Sequence, residues 1–145
     1  KLTVTDQDTK IKVLKAYEKR LATLDHERAV VISDRGAVYE IVGTSGHVYP
    51  EILGNEVLKN AVVTHNHPIN ETEYTFSSLD INGYNECKMF ILRGVDYKFE
   101  YQLSNIGETV VDEAEINWQN AENVMHAKIA NECRKRGLNY WRKKR

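Results

Sequence analysis

Residues 9 to 24, TKIKVLKAYEKRLATL, place apolar side chains at Ile11, Leu14, Tyr17, Leu21 and Leu24. That spacing winds onto one side of a helix and leaves the lysines and the glutamate on the other. The pattern then changes to short apolar runs. RAVVIS (28–33) is a β-branched run, DRG reads as a tight turn, and AVYEIVG completes a hairpin. PEILGNEVLK (50–59) predicts a short helix, and NAVVTH (60–65) a central strand buried on both faces. SLDINGYNECKMF (78–90) returns to helical spacing from a serine cap, despite Gly83 inside it. FILRGVDYKFEYQL (90–103) predicts two strands around a GVD turn. Between Asp112 and Arg136, Trp118, Ala121, Met125 and Ile129 recur at helical intervals, with Val124 and Cys133 beside them and Gly137 as the stop.

This order of elements has no internal repeat, no low-complexity linker and no Pro-rich boundary. It predicts a single α+β domain: a central mixed sheet flanked by helices, with a core at about 9–110, a long C-terminal helix over 112–136 and a basic tail over 137–145. The length of 145 residues and 41% apolar content suit one hydrophobic core. No window approaches the roughly 18 consecutive apolar residues of a membrane span, so no membrane partner is expected. The opening KLTVTDQDTK lacks a Met and a signal pattern, and reads as the start of a piece cut from a longer polypeptide. Cys87 and Cys133 are far apart and match no paired-cysteine zinc pattern. They are expected as reduced, buried thiols in a cytoplasmic setting.

The net charge of −1 conceals an asymmetry, because RKRGLNYWRKKR (134–145) carries seven basic residues and no acidic one. Tyr140 and Trp141 between its basic clusters offer nucleic acid a weak contact. The plainer reading is a solvated C-terminus beyond a helix end that favours cations.

Candidate chemistry concentrates in AVVTHNHPINETEYTFSSLDI (61–81). His65 and His67 stand two apart at a strand end, so both imidazoles leave on the same side of the pleat. Asp80 falls in the first turn of the following helix, where the loop can fold back and present its carboxylate to the same point. Two imidazoles and a carboxylate suit Zn²⁺, and three protein ligands leave a fourth position for water. Pro68 stops the strand ladder and turns the chain outward. The bland alternative is a polar loop with two surface histidines, although His-x-His-Pro followed by Ser-x-x-Asp is much narrower than a lone histidine.

These residues resemble the JAB/MPN metalloprotease family and its JAMM motif: an upstream Glu, then His-x-His, a spacer and Ser-x-x-Asp. The form HNHP … S … DI is most similar to the bacterial RadC-type branch. It matches here through His65, Asn66, His67 and Pro68, then Ser77, Asp80 and Ile81. ERAVVISDRGAVYEIVGTSGHV and MFILRGVDYKFEYQLS resemble the flanking strands of that family, so the likeness covers about 26–104. It implies cytidine-deaminase-like layering, a zinc held by His65, His67 and Asp80, and hydrolysis of a peptide or isopeptide bond in a protein or peptide substrate. It also implies that Glu27 is the general base and that Ser77 donates to the developing oxyanion. Glu40, inside the hairpin, is the rival base. The spacer from Pro68 to Phe76 is two residues longer than the usual one, and Ile69 and Asn70 replace the Ser-Gly that often follows the proline. A loop absorbs two residues at little entropic cost.

Two other classes stay open. The first is a non-catalytic or degenerate JAB-like metal-binding module, since the stretch also resembles domains found on phage and mobile-element proteins, some virion-associated. A metal-dependent nuclease is the third reading, prompted by the basic tail. It is weakened because nucleases known by the letters H-N-H spread them over a ββα unit.

Overall fold

A computed structural model of the chain describes residues 6–44, 47–68, 74–104 and 124–145. The first helix, α1 (Gln7–Leu21), starts at an Asp6 cap whose carboxylate accepts from the Thr9 amide at 3.0 Å. It therefore begins two residues earlier than the apolar spacing predicts and leaves Leu24 outside. The hairpin follows as β1 (Arg28–Ile32) and β2 (Val38–Val42). The predicted helix over 50–59 is broken at Gly54, with φ 86°, into a 3₁₀ turn (Pro50–Leu53) and a short α2 (Asn55–Leu58). Next come β3 (Val62–Asn66), buried at every position, and α3 (Ser78–Cys87), capped by Ser77. Then β4 (Ile91–Val95) and β5 (Phe99–Ser104) pair around a turn at 96–98. Gly94 and Val95, expected in that turn, belong to β4. The chain turns instead at Asp96, whose Oδ1 accepts from the amides of Lys98 and Phe99 at 2.8 Å each.

The last elements are α4 (Val124–Arg136) and β6 (Asn139–Lys144). Residues 112–123 of the expected long helix, Trp118 and Ala121 among them, lie outside the described residues. The tail is not the solvated run expected from its charge. It is a sheet strand, reversed from α4 at Gly137 (φ 71°) and paired with β5 from Phe99↔Lys144 to Ser104↔Asn139. Tyr140 packs on the core, and the Arg142 guanidinium lies 3.9 Å from the Phe99 ring centroid. Long basic side chains suit an edge strand, because they bury their stems and keep their charge in water.

The sheet order is β2-β1-β3-β4-β5-β6, with only the β3–β4 pair parallel. The fold is thus α+β around a mixed six-stranded sheet in a single domain. Two apolar layers follow from the strand period of two. On one face, Val30, Ile32, Val62, Ile91 and Val95 meet Leu14 and Leu21 of α1. On the other, Val31, Val63, Leu92, Tyr101 and Leu103 meet Ile81 and Tyr84 of α3 and Met125 and Ile129 of α4. Arg93 crosses the α1 face fully buried, gripped by Glu18 at 2.7 and 2.8 Å and by Glu100 at 2.9 Å. Thr64 of the neighbouring strand also donates to Glu18, at 2.6 Å. This network fastens α1 to the two central strands. Among the described residues no helix is long and apolar enough to cross a membrane.

Candidate metal centre

β3 ends where the sheet opens beside α3. His65 shares the face of Val63, the face covered by α3, and His67 follows it on the same side. Asp80 comes from the first turn of α3 and is fixed there by a reciprocal capping box. Its Oδ2 accepts from the Ser77 amide at 2.9 Å, while Ser77 Oγ accepts from the Asp80 amide at 3.2 Å. The helix cap therefore aims the carboxylate. The Nε2 atoms of His65 and His67 lie 3.1 Å apart. Asp80 Oδ1 is 3.1 Å from His65 Nε2, and Oδ2 is 3.0 Å from His67 Nε2.

Each imidazole is oriented from behind. His65 Nδ1 lies 2.9 Å from the Arg93 carbonyl oxygen. A carbonyl only accepts, so His65 carries its proton on Nδ1 and directs the Nε2 lone pair at the cluster. His67 Nδ1 lies 3.0 Å from the Tyr101 hydroxyl. Burial, with Asp96 and Asp80 nearby, holds the Tyr101 phenol well above its ordinary value. It keeps its proton and still has lone pairs to receive an Nδ1–H from His67. Burial pushes the Asp80 carboxyl upward, but in the protonated, metal-free cluster the charge and hydrogen bonds of the two imidazoles outweigh it and hold it well below the usual carboxylate range.

Three lone-pair donors brought this close repel one another unless a cation sits among them. Ligands about 2.0–2.1 Å from a tetrahedral zinc are about 3.3 Å apart; the two imidazole nitrogens at 3.1 Å need to widen by only a few tenths of an ångström, and with one atom from each residue the three donors lie within 4.8 Å of one another. The donor set fits Zn²⁺. His65 and His67 are 3% and 4% exposed and the Asp80 side chain 12%, so the cluster is reached from the α3 side. A recess there is lined by His47, Glu51, Leu79 and Gly83 beside His65 and Asp80.

The other sequence candidates divide. Glu27 is buried, just before β1. The register Ala29↔His65, continued two residues, brings Glu27 opposite His67 on the histidine face. Glu27 also faces a widened stretch after β2, where Gly43 donates to its carbonyl and its own amide donates to the Thr44 carbonyl, both at 2.7 Å. Two residues thus oppose one, a bulge of the kind that re-aims a side chain next to a site. Glu40 lies elsewhere. It pairs with Val30 on the α1 face and is held by Arg20 at 2.8 Å and Arg28 at 3.0 Å. Ser77 stands beside the cluster as the α3 cap, its oxygen accepting from the Asp80 amide and its hydroxyl proton given to no acceptor among the described residues. Both cysteines are free and buried on this face, away from the donors, and burial pushes the Cys133 thiol up to about 12.

Sequence reading missed Tyr101 and the Arg93 carbonyl. No motif marks them, because their role comes from strand adjacency between residues far apart in the chain. The alternation of β5, with Tyr101 and Leu103 on the apolar parity, was the only available signal.

No family model, no curated protein and no solved structure matches this chain.

Proposed function

We propose that the chain is a zinc-dependent amide hydrolase of JAB/MPN type, acting on a peptide or isopeptide bond in a protein substrate. The observation that carries this reading is the convergence of His65 Nε2, His67 Nε2 and the Asp80 carboxylate at 3.0–3.1 Å, with both imidazoles oriented from behind. His65, His67 and Asp80 would hold the ion, and zinc so held supplies Lewis acidity toward a carbonyl and a water made acidic enough to attack at neutral pH. Glu27 takes the proton of the attacking water as the oxygen bonds to the carbonyl carbon. The same carboxyl then gives that proton to the amine as the C–N bond breaks. Ser77 donates its hydroxyl proton toward the oxyanion, help worth roughly 3 kcal/mol in comparable sites. The recess beside His65 and Asp80 admits the substrate from the α3 side.

Elemental analysis tests the ligand set: wild type carries one zinc per chain and His67→Ala loses it. Glu27→Gln tests the chemistry. It keeps zinc and fold and lowers hydrolysis by about 10²–10⁴-fold, whereas Glu40→Gln, on the far face, leaves hydrolysis unchanged. Zinc content unaffected by His67→Ala removes the metal centre. Zinc-loaded wild type that cleaves nothing in a broad amide panel supports a metal-binding module instead.

A further inference from the structure

Asn66, between the two histidines, is 1% exposed and takes no part in the donor cluster. In the β1–β3 register Arg28 falls opposite Asn66, and His26 opposite Pro68. A backbone ladder continued past β3 needs an amide from residue 68 for the His26 carbonyl, and proline has none. The Asn66 carboxamide takes that place. Its Oδ1 accepts from the Arg28 amide at 2.7 Å, and its Nδ2 donates to the His26 carbonyl at 2.9 Å. The two bonds close on the peptide groups immediately before and after Glu27. From the opposite side, Gly43 and Thr44 grip the Glu27 backbone at 2.7 Å each. A Cβ at Gly43 would stand 2.4 Å from the His47 carbonyl oxygen and 2.8 Å from that of Glu27, so this second grip closes only around glycine.

We propose that Asn66 is a positioning residue that fixes Glu27 relative to His65, His67 and Asp80, an inference that rests on the hydrolase reading above. The carboxamide bridges β3 to the head of β1 at the point where Pro68 ends backbone pairing. It sets the separation between the end of β3, which places both proposed histidine ligands, and the segment carrying the base. Without it, the Arg28 amide and the His26 carbonyl lose their β3 partner, and the head of β1 is held from the β2 side alone. A shift of about 1 Å in a reacting group costs up to about 100-fold in rate.

The test compares zinc-loaded wild type, Asn66→Ala, Glu27→Gln and the double variant on a fluorogenic amide panel, with zinc affinity measured in parallel. Asn66→Ala is expected to keep zinc affinity within about threefold and KM within about twofold, while kcat falls tenfold or more. In the Glu27→Gln background the same change costs nothing further, because its effect passes through Glu27. Wild-type kcat in Asn66→Ala, or a loss fully additive with Glu27→Gln, overturns the proposal. Should Asn66→Ala fail to fold, Asn66→Asp serves, since it retains the acceptor for Arg28 and loses the donor to His26. If wild type cleaves no amide, the hydrolase reading fails separately, and the visible spectrum of the cobalt-substituted protein decides the positioning role. A spectrum of Asn66→Ala that matches Glu27→Gln and differs from wild type supports it; one unchanged from wild type overturns it.

Discussion

Gly94→Ala probes the proposed metal centre from β4, where Gly94 stands beside His65 in the strand register. Gly94 of β4 pairs with Tyr101 of β5, whose ring lies over the glycine. A methyl there would stand 2.3 Å from Tyr101 Cε2, 2.9 Å from Cδ2 and 3.1 Å from Cζ. Carbon atoms settle about 3.5–4.0 Å apart, so the ring must retreat by roughly 1 Å. The Tyr101 hydroxyl moves with it and leaves its 3.0 Å contact with His67 Nδ1, a bond that weakens steeply with misalignment. His67 then loses the partner that selects its tautomer and ring orientation. Removing such an outer partner typically costs 10–100-fold in metal affinity, or about 1.4–2.8 kcal/mol, while overpacking costs about 1–3 kcal/mol of stability. A chelator competition titration measures the first and urea unfolding of the metal-free protein the second. Tyr101→Phe separates them, because it keeps the ring against Phe76 (5.0 Å between centroids) and removes only the hydroxyl. It is expected to lose zinc affinity in the same range with a stability loss of about 1 kcal/mol. Wild-type zinc affinity in both variants would refute the claim that Tyr101 holds His67.

Four further outcomes are expected. Arg93→Met leaves Glu18 charged and buried, and urea unfolding should show a loss of about 3–5 kcal/mol; a loss under 1 kcal/mol means the pair is not structural. Deleting residues 139–145 removes β6 from β5 and uncovers Leu103, so the truncated chain should lose its cooperative thermal transition; full-length protein should bind no DNA or RNA at physiological salt, and a salt-sensitive complex would revive the nuclease reading. Both cysteines should resist a thiol reagent at about pH 8 in the folded protein and react on denaturation, because burial raises both thiols and leaves little thiolate; prompt labelling of the native protein would contradict this.

Where periodicity and local chemistry agreed, the sequence was readable. The apolar spacing of 9–24, the β-branched runs of β1 and β3 and the serine cap of α3 each placed an element correctly, and so placed His65, His67 and Asp80 at a strand end and a helix start. The errors have physical causes. Gly54, at φ 86°, splits one short helix in two because a single backbone angle outweighs the propensity of the residues around it. In NYWRKK, charge masked a strand whose tyrosine and tryptophan are β-formers and whose basic groups stand at a sheet edge. Glu27 and Glu40 look alike in sequence, yet strand parity sends them to opposite faces of the sheet. Register is a property of pairing, and neither strand alone states it.

Arg93 ties the proposed metal centre to the helix behind the sheet. Its carbonyl orients His65 on one face of the sheet, while its guanidinium is fixed to Glu18 on the other. If the proposed centre binds zinc, its occupancy is expected to be linked through Arg93 to the anchoring of α1, which packs on the opposite face of the sheet. A ligand at one hundred times its dissociation constant adds about 2.7 kcal/mol to the folded state. That increment should appear as slower amide exchange along α1 when zinc is added, so the helix behind the sheet reports from a distance whether the centre in front of it is loaded.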